Sequence, residues 1–255
     1  DFLDADLNGD EPGADARAAA SPRSRRPIEA IIPSFREDDA DTAYSADAEI
    51  QQYLAQLPAE PFILFVGALR RVKGVQQLLD AYAQLKDAPP LVLIGTWEND
   101  SPQRLPPGVH VVPNLPHAAV MAAWDRALFG VIPSLWPEPL GSVVYEGMSR
   151  GKAVIGTTPG GHTDMIVDGV TGLLVPPGDV DALRGAMQTL LDDPGMCVRF
   201  GQAGHVRARL FTAEVNVPRF EQLYGQLIEA NRTRHSPHGA DAKRGVETVK
   251  WQSGT

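Results

Sequence analysis

A single cysteine, Cys197, stands among 255 residues, so no disulfide can close within the chain, and a reducing, cytoplasmic setting is the expectation. On its expected helix Cys197 reads as a packing residue. No apolar run approaches the roughly 20 residues that a membrane helix needs, and no basic region followed by an apolar core opens the sequence. The chain therefore reads as a soluble protein. Basic side chains are in deficit, 23 against 32 acidic ones for a net charge of -9. That excludes a general nucleic-acid binder, whose affinity rests on neutralising many phosphates, and makes any phosphate recognition local. No Cys or His spacing suits a metal site and no Asp-x-Asp triplet falls in a strand-end context, so no metal is expected. There is no internal repeat. What the chain does have is 43% apolar residues, enough for a packed core in one large or two small domains.

Apolar patterning divides the chain into three parts. Residues 1–27 mix acidic residues, Ala and Pro with the basic group Arg23, Arg25 and Arg26, show neither helical nor strand periodicity, and read as a disordered leader. Residues 28–230 carry alternating short apolar runs and helical patterns. Helices are expected over 45–57, 75–85, 117–127 and 142–150, with three more toward the C-terminus. Strands are expected over 62–66, 91–94, 109–112, 128–132, 153–155 and 172–175. Such alternation predicts an α/β fold with a doubly wound parallel sheet, Rossmann-like, whose ligands lie beyond the carboxyl ends of the strands. Gly67, Gly95, Pro133-Ser134 and Gly156 all fall at such ends. Residues 231–255 turn to Arg, His, Ser and Gly without an apolar period and read as a disordered tail.

The stretch Trp136-Pro137-Glu138-Pro139-Leu140-Gly141-Ser142-Val143-Val144-Tyr145-Glu146 concentrates the chemistry. Two carboxylates flank a Pro-Gly loop that opens a helix. Ser142 is the expected N-cap, and the unpaired amides after Gly141 offer a seat for a diphosphate, with Leu140, Gly141 and Ser142 acting through their backbone. Glu146, one turn into the helix, could accept two hydrogen bonds from the vicinal hydroxyls of a ribose. Its bland alternative is a solvated helix glutamate. Glu138 precedes the helix and is expected to face the sugar in a hollow shared with Glu146, against the alternative of a loop carboxylate that stabilises the helix dipole. Arg70, Arg71 and Lys73 form a basic group after Gly67, ahead of a helix, suited to the diphosphate or to nothing more than a solvated turn. His162 reads as a loop histidine without a role, and Trp136 as a residue packing under the loop.

Together with Gly151-Lys152-Ala153-Val154-Ile155-Gly156-Thr157, this block resembles the retaining glycosyltransferases of family 4 and their E-x7-E motif. Phe65-Val66-Gly67-Ala68-Leu69, Lys73-Gly74 and Leu78-Leu79-Asp80-Ala81-Tyr82 look like that family's first strand, phosphate loop and helix. Pro159-Gly160-Gly161, Asp168-Gly169, Thr171-Gly172-Leu173-Leu174-Val175 and Pro176-Pro177-Gly178-Asp179 look like its closing segment. The resemblance runs from about Phe62 to about Ile228. It implies the C-terminal, donor-binding half of a GT-B fold, with Ile28 to Pro33 as the short strand entering it. It also implies a nucleotide-diphospho-sugar as substrate, no separate cofactor, and transfer with retention to the hydroxyl of an unidentified acceptor. Glu138 and Lys73 would be the catalytic residues, and Glu146, Gly67, Arg70, Leu140, Gly141 and Ser142 the donor-binding ones. An N-terminal acceptor domain would be supplied from elsewhere. Peripheral contact with a bilayer stays open, since many family members glycosylate lipids. The family places Arg directly after the glycine where this chain has Ala68, which leaves phosphate binding there in question. A non-catalytic nucleotide-sugar-binding module and, more weakly, an epimerase on the same fold stand as alternatives.

Overall fold

The computed structural model describes residue 30 and residues 32–37, 42–44, 47–139 and 141–235. Residues Ile32–Gln226 form one compact unit. A second takes in Asp1–Ile31 and Leu227–Thr255, and its described part, beyond Ala30, is a stretch of the last helix. The leader expected over 1–27 lies outside the described residues.

Six strands build the sheet: β1 (Phe62–Val66), β2 (Leu91–Ile94), β3 (Val109–Val112), β4 (Ala127–Ile132), β5 (Ala153–Thr157) and β6 (Gly172–Val175). All neighbours pair in parallel, in the order β3-β2-β1-β4-β5-β6. The chain thus winds outward one way from β1 and, after the crossover to β4, outward the other way. That reversal between β1 and β4 leaves a crevice at the strands' carboxyl ends.

Strand alternation splits the core cleanly. Phe62, Leu64, Val92 and Ile94 face one side, under α1 (Ala48–Leu54), α3 (His117–Arg126) and α4 (Ser142–Ser149). Ile63, Phe65, Leu91 and Leu93 face the other, under α2 (Val75–Tyr82) and α6 (Val180–Asp192). Burial on both faces explains why the strands are continuous apolar runs, as parallel strands covered by helices require. Trp124 is completely buried because Gly130 on β4 and Gly147 on α4 face its indole, and a Cβ at either position would press into the ring.

Several boundaries differ from expectation. The helix expected over 45–57 is the shorter α1, capped by Asp47, whose carboxylate accepts from the Glu49 amide at 2.8 Å. α2 stops at Tyr82 rather than Leu85, where the amides of Gln84 and Leu85 bond three residues back to Ala81 and Tyr82 in a tightened last turn. β5 extends to Thr157, which puts Gly156 inside the strand instead of past its end. A four-residue helix, α5 (His162–Met165), was not foreseen. α7 (Pro194–Ala208) and α8 (Ala213–His235) follow, and α8 carries helix past the boundary set at residue 230. An exposed helix end needs no apolar period, and the rest of the expected tail, residues 236–255, lies outside the described residues. Ile28, Glu29 and Ile31 lie outside the described residues, and Ile32 and Pro33 form no strand. The chain enters instead through a parallel bridge from Arg36 to Thr212, with the Arg36 amide bonding the Phe211 carbonyl at 2.9 Å.

Candidate functional site

The loops leaving β1 and β4 lie side by side at the reversal and are joined there. The Leu135 amide donates to the Val72 carbonyl at 2.8 Å. Gly74, at φ +72°, runs so close to Pro133 that a Cβ would strike the Pro133 carbonyl. Gly67 bonds the Ile94 carbonyl through its amide at 2.9 Å, and its own carbonyl abuts Gly95 closely enough to forbid a side chain there.

A short 3-10 turn, Arg71–Lys73, presents Lys73 to the β4 loop. Its Nζ donates to Glu138 Oε1 at 2.6 Å, and Ser134 Oγ donates to the same oxygen at 2.7 Å. Nζ also sits 5.8 Å from the centroid of the Trp136 ring, a side chain that is 43% exposed rather than packed under the loop. Burial by itself would raise the Glu138 carboxyl, but the hydrogen bond and charge of Lys73, with the bond from Ser134, outweigh it and hold the group below the ordinary carboxylate value. Arg70 does not join this group. Its guanidinium pairs with Asp100 on the loop after β2 at 3.4 Å, both side chains well exposed, a pair that contributes little.

α4 begins differently from expectation. Gly141 is its N-cap, Ser142 is already the first helical residue, and no side chain caps the end. Ser142 therefore cannot supply the cap assigned to it, because a residue with helical dihedrals directs its hydroxyl away from the orphan amides. Leu140 lies outside the described residues. Beneath this end lies His162. The Gly161 amide donates to the Glu138 carbonyl at 2.5 Å, and the His162 ring comes within 3.1 Å of where a Cβ on Gly141 would stand. The histidine read as a role-free loop residue is in fact 2% exposed, and burial pushes its imidazole below the ordinary value.

Glu146 is buried, 7% exposed. Its Oε1 lies 3.5 Å from His117 Nε2, while its Oε2 is buried without a hydrogen-bond partner among the described residues. It lines a cavity of about 370 Å3 with Arg36, Glu37, Tyr44, His117 and Tyr145. Glu138 is not among the residues lining that cavity and is drawn to Lys73 and Ser134. The structure thus gathers Lys73, Glu138, Ser134 and His162 around the start of α4 and sets Glu146 one turn into the helix, on the wall of that cavity. His117, Arg36, Glu37 and Tyr44 escaped sequence reading because nothing in local periodicity marks a cavity wall.

Cys197 is a packing residue, its Sγ 3.3 Å from the Leu190 carbonyl and its thiol pushed up to about 11 by burial. Among the described residues no group of three or more His, Cys, Asp and Glu is arranged to hold a metal ion, and no helix is long and apolar enough to cross a membrane.

Residues 47–207 match the family model described as glycosyl transferases group 1. Glycogen synthase of Mycobacterium tuberculosis is 31% identical over 160 residues, 59% of this chain and 38% of that protein. Among solved structures, sucrose-phosphate synthase from Thermosynechococcus elongatus is similar at a TM-score of 0.65 and 32% identity, covering 78% of this chain and 52% of that one. HepE of Anabaena, solved in complex with UDP, is similar in fold at a TM-score of 0.61 and 24% identity, covering 75% of this chain and 56% of that one. The chain therefore spans about half the length, or less, of these three proteins, and its doubly wound sheet is the fold of GT-B glycosyltransferases.

Proposed function

The chain belongs to the glycosyl transferases group 1, and from that membership we propose that it is the donor-binding domain of a retaining glycosyltransferase that takes a sugar from a nucleotide-diphospho-sugar. One observation carries the proposal: the buried carboxylate of Glu146, with Oε2 unpartnered, in the wall of a cavity. A buried acceptor without a donor costs about 1–3 kcal/mol, more when charged. A ribose with two adjacent hydroxyls supplies the donors that offset it.

In this reading the diphosphate sits at the uncapped N-terminus of α4, where free amides and the helix dipole favour an anion. Gly67 lets the β1 loop approach the phosphates, and the backbone of Leu140, Gly141 and Ser142 holds them. Lys73 stabilises the charge that grows on the diphosphate as the bond to the anomeric carbon breaks. Glu138, kept ionised, stabilises positive charge developing on the sugar. The acceptor hydroxyl then attacks from the face the diphosphate leaves and gives its proton to the departing phosphate oxygen, so configuration is retained. Arg70 contributes to the phosphates only if it releases Asp100. The acceptor site belongs to a second, N-terminal domain, an assignment supported by the chain's spanning about half of its relatives, and the single unpaired cysteine suits a cytoplasmic enzyme.

A thermal-shift screen against UDP-, GDP- and ADP-sugars tests the proposal. One donor class should raise the melting temperature in a concentration-dependent way. A flat response to all three at millimolar ligand would defeat it.

A further inference from the structure

His162 carries a hydrogen-bond donor that no group among the described residues receives. The Thr157 amide donates to its Nδ1 at 3.2 Å. Nδ1 is therefore the bare nitrogen of the neutral ring, and the hydrogen resides on Nε2. Nε2 is buried and unpartnered in a residue that is 2% exposed. Burial favours the neutral form of this imidazole, so the donor persists at neutral pH. Leaving such a donor unpaired is unfavourable, and the fold fixes it firmly. Thr157 is itself 3% exposed and tied through its hydroxyl to the Ser134 carbonyl at 2.8 Å.

The place of the donor is informative. Cδ2, the carbon bonded to Nε2, lies 3.1 Å from the place a Cβ on Gly141 would take. Gly141 is the N-cap of α4, and its helix end has no side-chain cap. Two independent features, an uncapped helix start and a buried neutral donor with a fixed tautomer, thus converge on one spot.

We propose that His162 is a further ligand-binding residue, whose Nε2–H donates to a phosphoryl oxygen of a nucleoside diphosphate seated at the start of α4, with the Thr157 amide as the positioning group that sets the tautomer. The proposal rests on the nucleotide-sugar reading above and adds to it a donor that carries no charge.

The test uses the full chain, with UDP, GDP and ADP and their free nucleosides as probes, for the parent, His162→Leu and His162→Gln. Calorimetry should find the bound diphosphate weakened about tenfold in His162→Leu and largely recovered in His162→Gln, which keeps an amide donor, while nucleoside binding is equal in all three. Long-range 1H–15N spectra of the parent should report the Nε2–H tautomer in the free protein and a displaced Nε2 resonance with the diphosphate. If the parent binds a diphosphate but that resonance stays still, or His162→Leu binds it as tightly as the parent, His162 is only a core histidine and the inference fails while nucleotide binding stands. If the parent binds none of the three diphosphates, both fall. Should His162→Leu misfold, the spectra of the parent decide alone.

Discussion

Replacing Glu146 by Gln should move affinity and stability in opposite directions, which separates a ligand-binding carboxylate from a structural one. In the free protein the Glu146 carboxylate is 7% exposed, with one oxygen 3.5 Å from a histidine whose side chain is 50% exposed and the other unpartnered. The histidine contact is a partly solvated pair that contributes little, whereas burying an ionised oxygen without a donor costs at least the roughly 1–3 kcal/mol of a neutral one. Gln removes the charge at nearly constant volume, so the free protein should gain about 1 kcal/mol, visible as a melting temperature higher by about 2–4 °C. Binding should suffer. Two ribose hydroxyls donating to a carboxylate lose one charged acceptor and meet an amide NH2 in its place, a loss of about 1.5–3 kcal/mol or roughly 10- to 150-fold in Kd. Differential scanning fluorimetry of the free proteins and calorimetry with the donor that the parent selects measure the two effects. Equal affinity of Glu146→Gln and the parent for that donor would refute the ribose assignment. A fall in both stability and affinity would mean that Glu146 holds the fold and not the ligand.

Lys73→Met takes the ammonium from the Glu138 carboxylate, whose side chain is 10% exposed, leaves it only the neutral donors Ser134 and Trp136, and should cost about 1.5–3 kcal/mol in urea unfolding at neutral pH. The folded value of Glu138 lies below 4.5, so its stabilisation is complete above pH 4.5 and is lost as pH falls through the folded value. The variant should therefore lose stability less steeply on acidification than the parent, and parallel curves would argue against the pair. His162 acts in a higher window. With its folded value below 6.5, the unfolded chain takes up the proton first, so stability should fall as pH drops below 6.5 toward the folded value, and His162→Gln should flatten that part of the curve. Gly74→Ala should lose about 2–4 kcal/mol because it combines a positive φ with a collision against Pro133, and an unchanged melting temperature would contradict the joining of the two loops. Asp100→Ala should change stability by less than about 0.5 kcal/mol, since the Arg70 pair is exposed. A larger loss would show that the loop after β2 depends on it.

Strands were the most legible part of the sequence. Phe62 to Val66, Leu91 to Ile94, Val109 to Val112 and Gly172 to Val175 fall where apolar runs bounded by glycine or proline place them; the first two are buried almost throughout and apolar throughout, while the edge strand Val109 to Val112 admits the exposed His110. α5 was invisible for the converse reason. Its four residues are too few to display a period. The start of α4 was located to within a residue, but a serine and a glycine side by side are both acceptable caps, and only the backbone chose Gly141. At the site, Glu138 and Lys73 were singled out separately by motif, yet their contact spans 65 positions. Nothing in one sequence says which of Arg70, Arg71 and Lys73 takes the carboxylate. His162 was misread because burial is a property of what covers a residue. Part of that cover is Gly141, some twenty positions upstream, which lies against the ring.

The charge arrangement around the start of α4 also says how an anion would be held there. The chain carries a net charge of -9, Ala68 offers no cation, Arg70 is matched by Asp100 and Lys73 by Glu138. Attraction from the surrounding protein therefore gives little help. Groups that need no counter-charge remain, the open amides of α4 and the Nε2–H of His162, and they keep their directions whether or not a ligand is present. Lys73 is a cation placed to add to them, and a diphosphate would have to compete with Glu138 for it. Ser134 lowers the cost of that exchange. Because its hydroxyl bonds the same Glu138 oxygen at 2.7 Å, the carboxylate retains a donor when the ammonium turns away, and the ion pair can open without stranding a buried charge.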